Sequence, residues 1–441
     1  MLKYNIMKYF SKSYIKEKWS HSGFQKYFRN TAWMLGSRIL SMGISFLATI
    51  YIARNLGPSN FGQLSYALSF TGLFGFIASL GTENILFRDL IKYPEKRHSL
   101  LGTTFFLKIF AGTITSALCI LAAILINEND VSKTLIFILA LTFPLSAFSI
   151  IFLDFQSRAD SKYPSIVSLS ITLILNVLKV MIIATGKGII YLALVLLLET
   201  VLSTIFALFI YQTKTKDSIA LWRFDKKYAY ILLRDSAPLI LFSAFSMIYA
   251  RVDQVLIKNM MNATSVGLYD SAVRVSEVWS FIPGIILAAL YPAIVNSKTN
   301  SEEIYNVRLG RLAVLLFIIA VSIAIPVTFF AENIINILYG QAFIGGVIVL
   351  KIYIWAGIGT FLGILASHYL ITENYRKIIS FTAFFPMACN VVLNLIWIPL
   401  YGIEGAAWAT LISYSLTPLS LLLFKPTRTR IRKVYLSLTQ N

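Results

Sequence analysis

The sequence predicts an all-α integral membrane protein, with about twelve transmembrane helices and both termini in the cytoplasm. Three observations predict it: the composition, a succession of long apolar segments, and the placement of the basic residues. Of 441 residues, 57% are hydrophobic and only 13% are charged, about half the charged share of an ordinary soluble chain. That leaves too little polar surface to coat soluble domains of this total length. An aromatic content of 14% opposes disorder as well.

The first six apolar segments are Thr31–Ala53, Phe61–Gly81, Thr103–Ile126, Thr134–Phe155, Ile166–Ala184 and Ile189–Tyr211. The second six are Ser236–Lys258, Ser265–Val295, Leu312–Phe330, Ile344–Ile371, Ile379–Pro399 and Ala406–Phe424. Each is long enough to cross roughly 30 Å of hydrocarbon as a helix, some with tilt. Pro144, Pro283, Pro326 and Pro386 fall inside these spans. Neighbouring helices or water can satisfy the carbonyls that a proline frees. Bends at those points suit a bundle that opens and closes, although proline is also simply common in membrane helices.

Thirty-nine Lys and Arg against 20 Asp and Glu leave a formal charge of +19. In a soluble protein that excess would suggest nucleic acid. With the N-terminus in the cytoplasm, 29 of the 39 lie in the tails and in the loops on that side, and only Arg54, Lys133, Lys187 and Lys258 in the loops opposite. Positive residues collect in cytoplasmic loops, so the bias orients the chain and removes nucleic acid as a partner. Residues 1–29 are basic and aromatic, with no apolar run of the kind a cleaved signal needs. They read either as a tail lying on anionic lipid or as a solvated one. Cys119 and Cys389 lie inside apolar segments, so no disulfide framework is indicated.

An internal repeat divides the chain. Ile52 to Gly62 follows the first span, and Ile257 to Gly267 follows the seventh; Tyr66-Ala67 and Tyr269 with Ala272 continue them. Asn176 to Gly188 aligns with Asn390 to Gly402. Two six-helix halves entering from one side are related by an axis along the membrane normal. The expected organisation is a basic tail at 1–29, a first lobe at 30–211, a cytoplasmic linker at 212–235, a second lobe at 236–424 and a basic tail at 425–441.

No HExxH, CxxC, Walker loop or DxD pair is present, and His21, His98 and His368 are scattered. No metal, cofactor or catalytic group is expected. The informative residues are the charges within spans, each costing about 2.5–3.5 kcal/mol at a helix centre and so expected to face a polar interior. Arg38, Lys179, Arg251 and Arg274 are the candidate ligand-binding residues, and Glu199 and Asp253 the candidate ion-coupling residues. Glu199 suits either a proton site or a buried pair with a basic residue. Arg274 shares a helix face with Asp270 and Glu277, so an internal ion-pair cluster competes with a ligand role. Arg251 and Asp253 point to different sides of one helix and need separate partners. Asp154 is a further acid within a span, and Lys108 and Lys351 lie near span ends, where snorkelling is expected. A cavity lined by arginines suits an anion, because guanidinium forks match phosphate oxygens. It would repel a small organic cation.

The run Ala53-Arg54-Asn55-Leu56-Gly57-Pro58-Ser59-Asn60-Phe61-Gly62 resembles the polysaccharide-biosynthesis flippases of O-antigen type, within the multidrug/oligosaccharidyl-lipid/polysaccharide exporter superfamily. Arg88-Asp89, Arg251-Val252-Asp253, Gly267-Leu268-Tyr269 and Ala272-Val273-Arg274 agree with it, as does Asn394 to Pro399 followed by Tyr401 to Ala407. The resemblance implies alternating access around a central cavity in the bacterial cytoplasmic membrane. Its cargo would be an undecaprenyl-diphosphate-linked oligosaccharide bound for surface polysaccharide, with membrane lipid, a coupling proton or sodium ion, and polymerase machinery as partners. Lipid II flippases carry an Arg–Asp pair midway along the first helix; here Ile44-Ser45 stands in that register. A cation-coupled drug or metabolite antiporter and, further off, a membrane polysaccharide polymerase remain the alternatives.

Overall fold

The computed structural model describes residues 22–126, 129–215, 217–299 and 301–439, and every regular element within them is helical. Lys3 to Lys18 of the basic N-terminal tail lie outside the described residues. The first half comprises α1 (Ser22–Ser79), α2 (Glu83–Lys92), α3 (Arg97–Leu125), α4 (Asp130–Ala140), α5 (Thr142–Leu145), α6 (Ile150–Ser157), α7 (Lys162–Ala184) and α8 (Ile189–Thr215). The second half comprises α9 (Lys226–Met260), α10 (Ala263–Glu277), α11 (Phe281–Ser297), α12 (Glu302–Phe329) and α13 (Ala331–Tyr339). It ends with α14 (Val347–Tyr353), α15 (Ala356–Thr372), α16 (Arg376–Leu419) and α17 (Lys425–Thr439).

Nine of the described helical stretches are long and apolar enough to cross a bilayer, or ten when the pair bent by 47° between Tyr353 and Ala356 is taken as one. The chain is a multi-pass membrane protein. Two of the nine are themselves folded over. A straight helix of 58 residues, the length of α1, would run about 87 Å, nearly three hydrocarbon cores. It breaks at Gly57 (φ 72°, ψ 169°), a conformation that a side chain resists, and Pro58 brings a preset φ to the helix that restarts. Ile52 and Leu64, on either side of the break, pack together with Ile183 and Leu192, so the chain doubles back. In α16 the same device recurs at Gly402 (φ 61°), beyond which Gly405 lies against the Trp397 carbonyl. The inter-span loops expected at these two places are breaks at single residues.

Helix starts follow their capping residues. Asn129, Asp225, Asn262 and Ser301 each accept a backbone N–H of the helix that follows, supplying a partner the first turn lacks. Pro144 falls in the broken stretch between α4 and α6, and Pro283 opens α11 just after a 3₁₀ turn at Val278–Ser280. Pro326 and Pro386 lie within helix that continues past them. The 47° bend between α14 and α15 contains no proline.

Three large buried clusters organise the bundle. One belongs to the first half (Leu86, Leu101, Ile150, Tyr211) and one to the second (Tyr291, Leu316, Phe361, Tyr369). The third joins the halves, packing Phe61, Tyr66 and Phe70 of α1 against Val255 of α9 and Val266 and Tyr269 of α10. Large apolar side chains such as Phe110, Leu125, Phe209 and Phe329 point outward, as expected of a surface covered by hydrocarbon.

The connecting regions are more ordered than a tail-and-linker organisation suggests. The chain between halves is short, from Thr215 to Lys226, and packs on the head of α3: Asp225 N–H donates to Thr103 Oγ1 at 2.9 Å, and Arg223 N–H to the His98 carbonyl at 3.3 Å. Residues 425–439, within the basic C-terminal tail, form α17. Gly310 of α12 sits beneath Val434 and Leu438, and Arg430 reaches Glu302 at 2.6 Å and Asn306 at 2.9 Å.

Candidate functional site: the seam between the halves

The second limb of α1 carries Gly62, Ser65, Ser69, Gly72 and Gly75, spaced by three and four and therefore on one helix face. Every one of these small residues meets the second half. A β-carbon on Gly62 would fall 1.8 Å from the Ala263 carbonyl oxygen, and one on Gly267 would fall 2.0 Å from that of Pro58. The two backbones are thus in direct contact, which small residues permit and larger ones forbid. Gly72 lies under the stem of Arg251 and Gly75 under Met247. Arg54 Nη1 donates to the Ile337 carbonyl at 3.3 Å near the same turn.

Between the glycines runs a buried polar strip centred on Asp270. Its Oδ2 accepts from Ser65 Oγ at 2.7 Å and from Arg274 Nε at 2.6 Å, and its Oδ1 accepts from Gln254 Nε2 at 2.8 Å. Ser69 Oγ donates to Gln254 Oε1. The Arg274 guanidinium lies 5.4 Å from the centre of the Phe61 ring, within cation–π range. One carboxylate therefore binds a residue of the first half and two of the second, at the end of the bundle where α1 turns back. Buried charge-assisted contacts of this kind are strong when made and costly when only one partner remains.

Below the seam, a cavity of about 440 Å³ opens between the first limb of α1, α6 and α7. Arg38 lines it together with Ser41, Ser45, Gln156, Ser165 and Ser168. A guanidinium among hydroxyls can meet both phosphate oxygens and sugar hydroxyls.

A second polar cluster lies inside the second half. Asp253 Oδ2 accepts from Tyr269 Oη at 2.7 Å and from Thr410 Oγ1, while Oδ1 accepts from Asn394 Nδ2 at 2.7 Å. Asn394 also reaches Asn390 Oδ1 at 3.1 Å. Asp253, Asn390, Asn394 and Thr410 are all buried, and Asn394 Oδ1 has no hydrogen-bond partner. A carboxylate so placed is costly unless a proton or a cation neutralises it.

The six residues singled out from the sequence do not converge on one point. Arg38 lines the cavity, Arg251 and Arg274 lie along the seam, and Asp253 heads its own cluster. Lys179 and Glu199 pair with each other, Nζ to Oε2 at 2.8 Å, so the charge each carries is balanced within the protein. This arrangement weighs against Lys179 as a ligand residue and Glu199 as a coupling residue. Arg274 is likewise engaged by Asp270 and serves the seam first. Arg251 forms none of the ion pairs found among the described residues, and Glu277 is its charged neighbour.

Two other span charges have structural partners. Lys108 does not snorkel to lipid: it is buried at 2% side-chain exposure and reaches Glu83 at 3.4 Å. Asp154 is held between Arg97 and Arg158, and Arg158 also bonds Asp217 at 2.6 Å. Burial opposes the Arg158 charge, but Asp217 and Asp154 outweigh it and hold its guanidinium above the ordinary arginine value.

This geometry can be set beside known proteins. The polysaccharide biosynthesis protein family matches residues 27–298, more than half of the chain. The chain belongs to this family. Lsg locus putative protein 1 of Haemophilus influenzae is 22% identical, over 85% of this chain and 90% of its own length. The probable low-salt glycan biosynthesis flippase Agl15 of Haloferax volcanii is also 22% identical, over 86% and 79%. Among solved structures, an inward-facing multidrug resistance MATE transporter of the MOP superfamily matches at a TM-score of 0.74, 14% identity and coverage of 89% and 95%. The lipid II flippase MurJ in an inward closed conformation matches at 0.68, 17% identity and coverage of 93% and 91%. The fold is that of these MOP-superfamily transporters.

For this family member the seam partners Ser65, Ser69 and Gln254 and the cluster members Asn390 and Thr410 were not singled out from sequence. The small-residue stripe on one face of the second span and the pair Asn390/Asn394, four apart, were the available signals.

Proposed function

We propose that this protein is a flippase. It carries a polyprenyl-diphosphate-linked oligosaccharide repeat unit from the cytoplasmic to the outer leaflet of a bacterial cytoplasmic membrane, for surface polysaccharide assembly. It does so through twelve crossings with both termini inside, by alternating access between lobes at 30–211 and 236–424. Family membership supports the polysaccharide cargo, and the name of the Haloferax volcanii relative supports flipping as the act. The observation that carries the reading is the asymmetry of the bundle. The glycine contacts and the Asp270 strip join the halves at one end, while a hydroxyl- and guanidinium-lined cavity of the first half lies towards the other.

In this mechanism Arg38 receives the diphosphate and sugar on the cytoplasmic side, and Arg251 with Glu277 meets the cargo deeper along the seam. The Asp270 contacts to Ser65 then break, Arg274 is released from Phe61, and the halves part at the opposite end. Asp253 with Asn390, Asn394 and Thr410 is the coupling site. A proton or sodium ion there would neutralise the carboxylate and change how α9 packs on α16. Two negative charges leaving an inside-negative cell would release up to about 4.6 kcal/mol per 100 mV if both crossed the full field, so the potential can assist export. The polymerase that consumes the flipped unit is the expected functional partner.

Flipping of a fluorescent lipid-linked oligosaccharide in proteoliposomes tests the cargo site. Arg251→Ala should slow it at least tenfold and Arg251→Lys less. Unchanged rates in both would remove Arg251 from the path.

A further inference from the structure

A second cavity, of about 500 Å³, lies where α2 meets the head of α9, so its walls come from both halves. Arg88, Lys92, Lys96 and Lys227 line it against only two carboxylates, Asp89 and Asp225. Both carboxylates are already committed. Asp89 accepts from Arg88 Nε at 2.9 Å and Tyr228 Oη at 3.2 Å. Asp225 caps α9, accepting the backbone N–H groups of Lys227 at 2.8 Å and Tyr228 at 3.1 Å. Lys92, Lys96 and Lys227 form none of the ion pairs found among the described residues. The first two instead flank the Tyr93 ring, with ammonium groups 5.0 and 5.4 Å from its centre.

Three ammonium groups around one concavity repel one another unless an anion joins them. The surface beside the cavity says what kind of anion. Ile91 is 55% exposed and Tyr230 69% exposed, a flank that suits hydrocarbon. An occupant with a charged head and an apolar tail satisfies both features. The lining offers ammonium groups and rings rather than the row of serines found around Arg38, so a sugar would find few partners.

We propose that this cavity binds the phosphate headgroup of an anionic phospholipid, with its acyl chains along Ile91 and Tyr230. Basic pockets between helices at the cytoplasmic face suit such headgroups. On the orientation proposed above, an occupied site braces the head of α9, which already bonds the first half through Tyr228–Asp89 and Asp225–Thr103, against α2 at the cytoplasmic end, and lipid composition becomes a control on how the halves part.

The test uses the purified full chain in neutral detergent and short-chain dioctanoyl lipids. Dioctanoyl phosphatidylglycerol should bind saturably, more weakly as salt rises, and dioctanoyl phosphatidylcholine should not. Lys92→Gln with Lys227→Gln should weaken binding about 25-fold, from roughly fivefold per lysine, and Lys92→Arg with Lys227→Arg should retain it. If the double Gln variant does not elute as a monodisperse peak, Lys227→Gln alone should still show the fivefold loss. Equal binding of the two lipids, or full affinity in a well-behaved Gln variant, overturns the proposal. Inorganic phosphate binding as tightly as the glycerophospholipid would make the ligand a free anion, and a polyprenyl diphosphate binding more tightly would make it the transported lipid. Either outcome also overturns the assignment.

Discussion

Replacing Gly62 by alanine inserts one methyl group at the point where the halves touch backbone to backbone. In the state described, that carbon would lie 1.8 Å from the Ala263 oxygen and 2.7 Å from the Gly267 nitrogen, and neither is the movable tip of a side chain. Helix α10 must retreat from α1. Overpacking of this kind costs about 1–3 kcal/mol. The alanine also favours helix by about 1 kcal/mol over glycine, but α1 is helical whether the seam is closed or open, so this gain cancels. The net bias is against the closed seam, a shift of roughly 5- to 150-fold in its population relative to states parted there. The readout is a thiol at Ser65→Cys, which faces Asp270 across the seam. A membrane-impermeant maleimide added to the outer face should label it faster when Gly62→Ala is also present. Labelling from the cytoplasmic face should not increase. Gly267→Ala, which would press on the Pro58 carbonyl, should act in the same direction. If either alanine leaves both the labelling rate and the flipping rate unchanged, the seam is not the moving contact.

Two more outcomes follow from the buried charges. Asp253→Asn keeps a similar shape and much of the hydrogen bonding to Tyr269, Thr410 and Asn394 but abolishes the charge. The variant should fold and lose any dependence of flipping on a proton or sodium gradient in proteoliposomes; retained gradient dependence would place coupling elsewhere. Lys179→Met or Glu199→Gln alone strips one partner from the 2.8 Å pair, and Glu199 is 31% exposed, which softens the loss. Each should cost between about 1 and 3 kcal/mol in unfolding stability. The double variant should recover part of it, and additive losses would show that the two charges do not depend on each other.

The positions of the helices were legible because the bilayer leaves so few solutions. Backbone groups cannot go unpaired in hydrocarbon, so an apolar run of about twenty residues announces a helix whatever its neighbours do. The turn at Gly57 was legible for a similar reason, since Gly57-Pro58 punctuates the chain locally. The turn at Gly402 was legible as the gap between the spans ending at Pro399 and beginning at Ala406. The 47° bend between Tyr353 and Ala356 was not, because no proline stands there and Ile344–Ile371 reads as one continuous apolar span.

Charges were another matter. The sequence established that Arg38, Lys179, Glu199, Arg251, Asp253 and Arg274 must avoid lipid, because the cost of an ion in hydrocarbon depends on the residue and its depth alone. It did not establish what each would meet. Asp270 and Arg274 are neighbours by helical spacing, yet Ser65, which joins Asp270 to the other half, is 205 residues away. Lys179 finds Glu199 only because α7 packs on α8, and Lys108 finds Glu83 only because α2 folds over α3. Partner choice among distant residues is a property of how the helices assemble. That assembly, rather than composition or spacing, separated Arg38 and Arg251, which form none of the ion pairs found among the described residues, from Arg274, already held by a carboxylate.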